Sequence, residues 1–138
     1  MKTRIIIGDE LARVAEAIIR ETPEMLSIMV IGGDRIRCCD EGVVCADDPS
    51  CGIATIAPDG EMGSGKPTIV GLFVRPDARK KSVGTDLFEA AVRRCLERGF
   101  DRIHIDAMTK GMIRIIANMS PDLRVHLDVN DQSKYFPF

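Results

Sequence analysis

The chain has 138 residues, enough for one domain around one core, with 45% hydrophobic and 29% charged residues. A net charge of −2 is not that of a general nucleic-acid binder, so any basic site must be local. No apolar run reaches the roughly 18 residues needed to span a bilayer, and the start MKTRIIIGDELARV is too short in its apolar part for a secretory signal. The expected compartment is the cytoplasm, with neither nucleic acid nor membrane as a partner.

Residues 3–7, TRIII, read as a short β-branched strand. Asp9 is placed to cap a helix in which Leu11, Val14, Ala15, Ile18 and Ile19 recur at helical spacing. Thr22-Pro23-Glu24 carries a second helix-start signature; MLSIMVI behind it is helical by its caps and strand-like by its β-branched content, and is read as a helix, with a strand as the alternative, ended by Gly32-Gly33. RIRCC and GVVCA are strand candidates around an Asp40-Glu41-Gly42 turn; Asp47-Asp48-Pro49-Ser50 is a turn, and CGIATIA a further strand. PDGEMGSGKP is a loop before the buried strand TIVGLFV, which Pro76 stops. Leu87, Phe88, Ala91, Val92, Cys95 and Leu96 make the apolar stripe of the next helix, with Gly99 as its terminator. RIHIDA, 102–107, alternates as a half-buried strand. A helix over about 109–119 follows, then a last alternating strand, RVHLDV, 124–129. The order β α α β β β α β α β predicts an α/β (α+β) sandwich over residues 1–138: one domain with a mixed, mostly antiparallel sheet flanked by helices.

The five cysteines are an odd number, which argues against a disulfide framework. Cys38, Cys39, Cys45 and Cys51 cluster in sequence but lack the CxxC spacing that lets two thiolates converge on one zinc ion. They are read as buried hydrophobe-like residues, and no metal is expected.

The chemistry-bearing stretch is RPDARKKSVGTDL. It runs from a buried strand into the mouth of a helix. The first backbone N–H groups of a helix have no intrahelical partner and lie at the positive end of its dipole, so a small-residue entrance makes an anion site. Gly84 lacks a Cβ, Ser82 and Thr85 offer hydroxyls, and Arg79, Lys80 and Lys81 add charge at the rim. A diphosphate suits such a site, whereas a loop charge run taken alone is only a solvated surface. Neither GxxxxGK[ST] nor GxGxxG is present.

Set between these strands and helices, VRPDARKKSVGTDLF resembles the acyl-CoA-binding motif of the GNAT superfamily of N-acetyltransferases, R/Q-x-x-G-x-G/A, with Arg79 first, Gly84 last and Ser82 where the family prefers glycine. The resemblance covers roughly 43–119. It implies acetyl-CoA as acyl donor and an amine, small or on a protein, as acceptor. The amides of about Lys80, Lys81, Ser82, Val83, Gly84 and Thr85 would hold the pyrophosphate. Phe73 and Val74 would pair with pantetheine in strand fashion, and TIVGLFV and RIHIDA would splay to admit the thioester. A backbone N–H near Val74 would polarise the thioester carbonyl. The family's tyrosine acid falls at Ile116 and its early asparagine at Thr109. That leaves Asp106 as candidate base and Tyr135 as candidate acid, with His104 and His126 as further polar candidates. Competing readings are a GNAT-fold protein that binds acyl-CoA or has lost it, serving as a sensor or interaction module, and a nucleotide-binding regulator of another fold. Exposed sheet edges leave room for a homodimer.

Overall fold

The structure is a computed structural model that describes residues 1–22, 39–58, 66–79, 82–107 and 109–135, the side chain of Tyr135 excepted. The helix expected over MLSIMVI and most of the RIRCC strand lie outside the described residues.

Among the described residues six strands form one sheet in chain order: β1 Thr3–Ile6, β2 Glu41–Cys45, β3 Gly52–Ala57, β4 Thr68–Val74, β5 Ile103–Ala107 and β6 Leu127–Asp131. β1 to β4 pair antiparallel, while β4–β5 and β5–β6 are parallel. The helices among the described residues are α1 Gly8–Glu21, α2 Val83–Glu97, α3 Lys110–Asn118 and the single turn α4 Pro121–Arg124. The mixed sheet with flanking helices is the architecture expected from the sequence.

Each sheet face is covered by a different set of helices, as the alternation of the strands requires. On one face α1 places Leu11, Ala15 and Ile18 against Ile6, Val44, Ile53 and Phe73. On the other, α2 buries Leu87, Phe88, Ala91, Val92 and Cys95 against Val43, Ala54, Ile56, Ile69, Ile103 and Ile105, with Ile116, Met119 and Leu123 completing the layer. The α1 cluster draws on β1–β4 but on no residue of β5 or β6 among the described residues. His104 and Asp106 are therefore left half-buried on that face, while Ile103, Ile105 and Ala107 are buried on the other. Among the described residues, no helix is long and apolar enough to cross a membrane.

Three local expectations are corrected. The α1 cap position belongs to Ile7, whose carbonyl accepts from Leu11 N–H, so Asp9 acts in the first turn beside Glu10, where the dipole favours both. Glu41 and Gly42 form the start of β2 and not a turn: Asp40 N–H donates to Ile56 O, and the Glu41 carboxylate is held by Arg94 of α2 and by Arg98 just past its end. The last strand starts at Leu127, because Pro121 opens a helical turn that carries Arg124, and Val125 N–H donates back to Pro121 O. Gly99, with φ of 94°, follows the end of α2 as expected of a helix terminator.

Candidate functional site

The site is built where β4 and β5 part. They share one register pair, Thr68 with His104, and His104 N–H donates to Pro67 O at 2.8 Å. Past that pair β4 runs six more residues to Val74 with no further partner on β5. A bulge lies along this stretch: Thr55 of β3 faces Gly71 and Ile56 faces Ile69, so Val70 is an extra residue of β4, and such an insertion bends a strand.

The bulge also decides which peptide groups face the gap. Arg75 N–H donates to Cys51 O at 2.8 Å, and antiparallel ladders alternate, so Phe73, opposite Ile53, directs its N–H and C=O toward β3. The groups turned to the β5 side are those of Leu72 and Val74. Of the two residues expected to line the gap with their backbone, Val74 turns its peptide groups to the gap and Phe73 turns its groups to β3. The Phe73 side chain is buried under α1. The orientation of Leu72 cannot be read from the sequence because the parity depends on the bulge.

The entrance of α2 faces the same gap. A Cβ built on Gly84 would lie 3.4 Å from Val74 Cγ2 and 3.3 Å from Ile115 Cδ1, so the helix start touches both the end of β4 and α3. The first intrahelical bond closes from Asp86 N–H to Ser82 O, and the Ser82 side chain caps nothing. No described group accepts from the N–H groups of Val83, Gly84 or Thr85, which are the orphan donors of the helix start. Ser82 has φ of 60°, a left-handed conformation that favours glycine and that gives physical content to the glycine preference at this position. Arg79 bends back, and its Nε donates to Val74 O at 2.9 Å. That bond occupies the Val74 carbonyl and leaves its N–H facing the gap. Lys80 and Lys81 lie outside the described residues. Asp86, the acid in the first turn of α2, lines a different feature, a groove of about 430 Å³ between α2 and β1 shared with Met1, Arg4, Ile5, Glu89 and Arg93.

Asp106 stands two residues beyond the last shared pair of β4 and β5. Its Oδ1 accepts from Asn130 Nδ2 at 3.0 Å and lies 3.1 Å from His104 Nε2. Asn130 is opposite Asp106 in the parallel β5–β6 register, and Asp128 is opposite His104. Asp128 is held by Lys66 and Arg102, the latter's bond being first among the causes that keep its carboxyl below the usual range. The structure thus joins Asp106 to His104, which the strand alternation sets on one face, and adds Asn130, which no sequence pattern marked. His126 is elsewhere, its Nδ1 donating to Asp101 O. Ile116, at the family's tyrosine place, is buried in the α2-side core, and Thr109 caps α3 by accepting from Met112 N–H. The side chain of Tyr135 lies outside the described residues.

A strand that leaves its parallel neighbour, with an uncapped helix start beside the opening, is an arrangement that can hold a phosphate-bearing ligand along a strand edge. The chain is similar in structure to an acetyltransferase of the GNAT family from Staphylococcus aureus Mu50, with a TM-score of 0.50, 12% identity, and coverage of 82% of this chain and 77% of that one. At that identity the likeness is one of fold. No curated protein matches the sequence. Residues 31–115, more than half of the chain, match the acetyltransferase (GNAT) family, and the chain belongs to that family.

Proposed function

We propose that the protein is an N-acetyltransferase that takes its acetyl group from acetyl-CoA and passes it to an amine. The observation that carries this reading is the single-pair junction of β4 and β5 with the uncapped start of α2 beside it. In this reading the N–H groups of Val83, Gly84 and Thr85, with those of Lys80, Lys81 and Ser82, hold the pyrophosphate, and Arg79 and the lysines supply charge at its rim. The peptide groups of Leu72 pair with a pantetheine amide. Val74 N–H, its own carbonyl being tied to Arg79, polarises the thioester carbonyl and stabilises the oxyanion as the amine attacks.

The acceptor amine must be neutral to attack. Asp106, with His104 and Asn130 in hydrogen-bonding contact, is the group we assign to take its proton, directly or through water. The departing thiolate needs a proton, for which Tyr135 remains the candidate. The matching family place offers only a buried isoleucine.

That buried Ile116 supports a second reading, in which the domain binds acyl-CoA without turning it over. Two measurements separate them. Acetyl-CoA at a hundred times its dissociation constant should stabilise the fold by about 2.7 kcal/mol, and no thermal shift at millimolar acetyl-CoA overturns both readings. Release of CoA thiol on addition of an amine panel, against an amine-free control, supports transfer; binding with no release supports the second.

A further inference from the structure

Cys45 and Cys51 stand apart from the other cysteines. Cys45 is the last residue of β2 and Cys51 the last of the 3₁₀ turn Pro49–Cys51, which packs against that strand. Both are reduced, and both side chains belong to the apolar layer under α2, Cys45 buried and Cys51 partly exposed. Cys39 precedes β2 at its opposite end. Cys95 is fully buried, with Asp40, Glu41, Arg94 and Arg98 as its charged neighbours. Burial first, and the neighbouring Cys51 thiol second, push the Cys45 thiol up to about 11.

The Cys51 turn is bolted to the end of β4. Cys51 O accepts from Arg75 N–H, Asp48 Oδ2 accepts from Arg75 Nη1 at 3.1 Å, and Gly52 is opposite Val74. Any displacement of Cys51 toward Cys45 is therefore passed to Val74 and Arg75.

We propose that Cys45 and Cys51 form a redox-modification site that closes to an intramolecular disulfide on exchange with a low-molecular-weight disulfide, and that closure weakens acetyl-CoA binding at Val74. The second half rests on the acetyl-CoA reading given above. The more exposed Cys51 thiolate attacks one sulfur of the small disulfide, breaking its S–S bond and releasing one thiolate. Cys45, losing its proton, then attacks the Cys51 sulfur of the mixed disulfide and releases the second. The two cysteines are oxidised by two electrons, the small disulfide is reduced to two thiols, and the two protons end on those thiols. Cys51 is the more exposed of the two and the first attack belongs to it.

The test equilibrates the full chain with mixtures of oxidised and reduced glutathione, traps free thiols by alkylation and maps the peptides by mass. One bridge joining Cys45 to Cys51 is expected, absent in Cys51→Ser and in Cys45→Ala. The proposal is overturned if both residues stay alkylated in fully oxidising mixtures, or if the bridges formed join other cysteines or two chains. Acetyl-CoA titration of the two forms should give a dissociation constant at least fivefold weaker for the bridged protein, while Cys51→Ser binds alike in both buffers. A bridge that leaves affinity unchanged overturns the regulatory half. If neither form binds acetyl-CoA, that half falls together with the acetyl-CoA reading, and the peptide map still decides the modification site by itself.

Discussion

Gly84 in the first turn of α2 rests against Val74 at the end of β4, with 3.4 Å between the position of an added Cβ and Val74 Cγ2. The second wall, Ile115 Cδ1 at 3.3 Å, belongs to α3. An alanine requires its neighbours to yield by a few tenths of an ångström, whereas a valine forces the helix start away from the strand. Gly84→Val is expected to cost about 1–3 kcal/mol by overpacking and to weaken acetyl-CoA at least tenfold, read as a lower Tm and a lost ligand-induced shift. An unchanged affinity would remove the α2 entrance from the binding site.

Ser82 is the one described residue other than glycine with positive φ. Holding a side chain there costs on the order of 1 kcal/mol, offset in part by the extra unfolded-state freedom that glycine brings. Ser82→Gly is expected to raise stability by about 0.5 kcal/mol and to tighten acetyl-CoA about threefold by opening the approach to the amides. Ser82→Ala keeps both the strain and the Cβ and serves as the control. A glycine variant that binds no better than the alanine variant would show that the Cβ does not obstruct the ligand.

These two positions mark the boundary of what the sequence discloses. The strand 68–74 was legible because an apolar run ends at Pro76, α2 because its stripe keeps helical spacing, and β5 because Ile103, Ile105 and Ala107 alternate with His104 and Asp106. What could not be read depends on partners distant in the chain. Glu41 becomes a strand residue through Arg94, 53 positions away. Leu72 faces the gap only because Val70 is bulged, and Asn130 meets Asp106 only because β6 lies parallel to β5 in that register. RVHLDV misled because its alternation is real but local. Pro121 spends its first residues on a helical turn, and pairing begins only where Leu127 reaches Ile103.

Glu41 is buried and receives two hydrogen bonds from Arg94, 2.9 and 2.7 Å, with Arg98 3.3 Å away. The Arg94 bond, first among the causes, holds the Glu41 carboxyl below its ordinary value of about 4.3. A carboxyl whose folded pKa is depressed stabilises fully above the unfolded value, and that contribution is lost as pH falls through the folded one. Glu41→Gln should therefore cost about 1–3 kcal/mol at pH 7, because the charged bonds between β2 and α2 are weakened. The difference from wild type should shrink as pH drops from about 5 toward 3. Urea midpoints at several pH values check both; a pH-independent difference would show that the pair does not titrate with folding.

The role of Asp106 is tested by the split between kcat and KM. Its carboxylate is engaged by His104 and Asn130 on a face that α1 leaves uncovered beside the gap, so its removal should disturb proton transfer more than cofactor binding. With an amine that the wild type acetylates, Asp106→Asn is expected to lower kcat at least tenfold, the lower end of what a positioned base contributes, while KM for acetyl-CoA stays within about twofold. Asn130→Ala, which removes only a hydrogen bond to the carboxylate, should give a smaller loss in kcat in the same direction. If Asp106→Asn raises KM for acetyl-CoA and spares kcat, the carboxylate belongs to the framework of the gap, and the proton passes through another group.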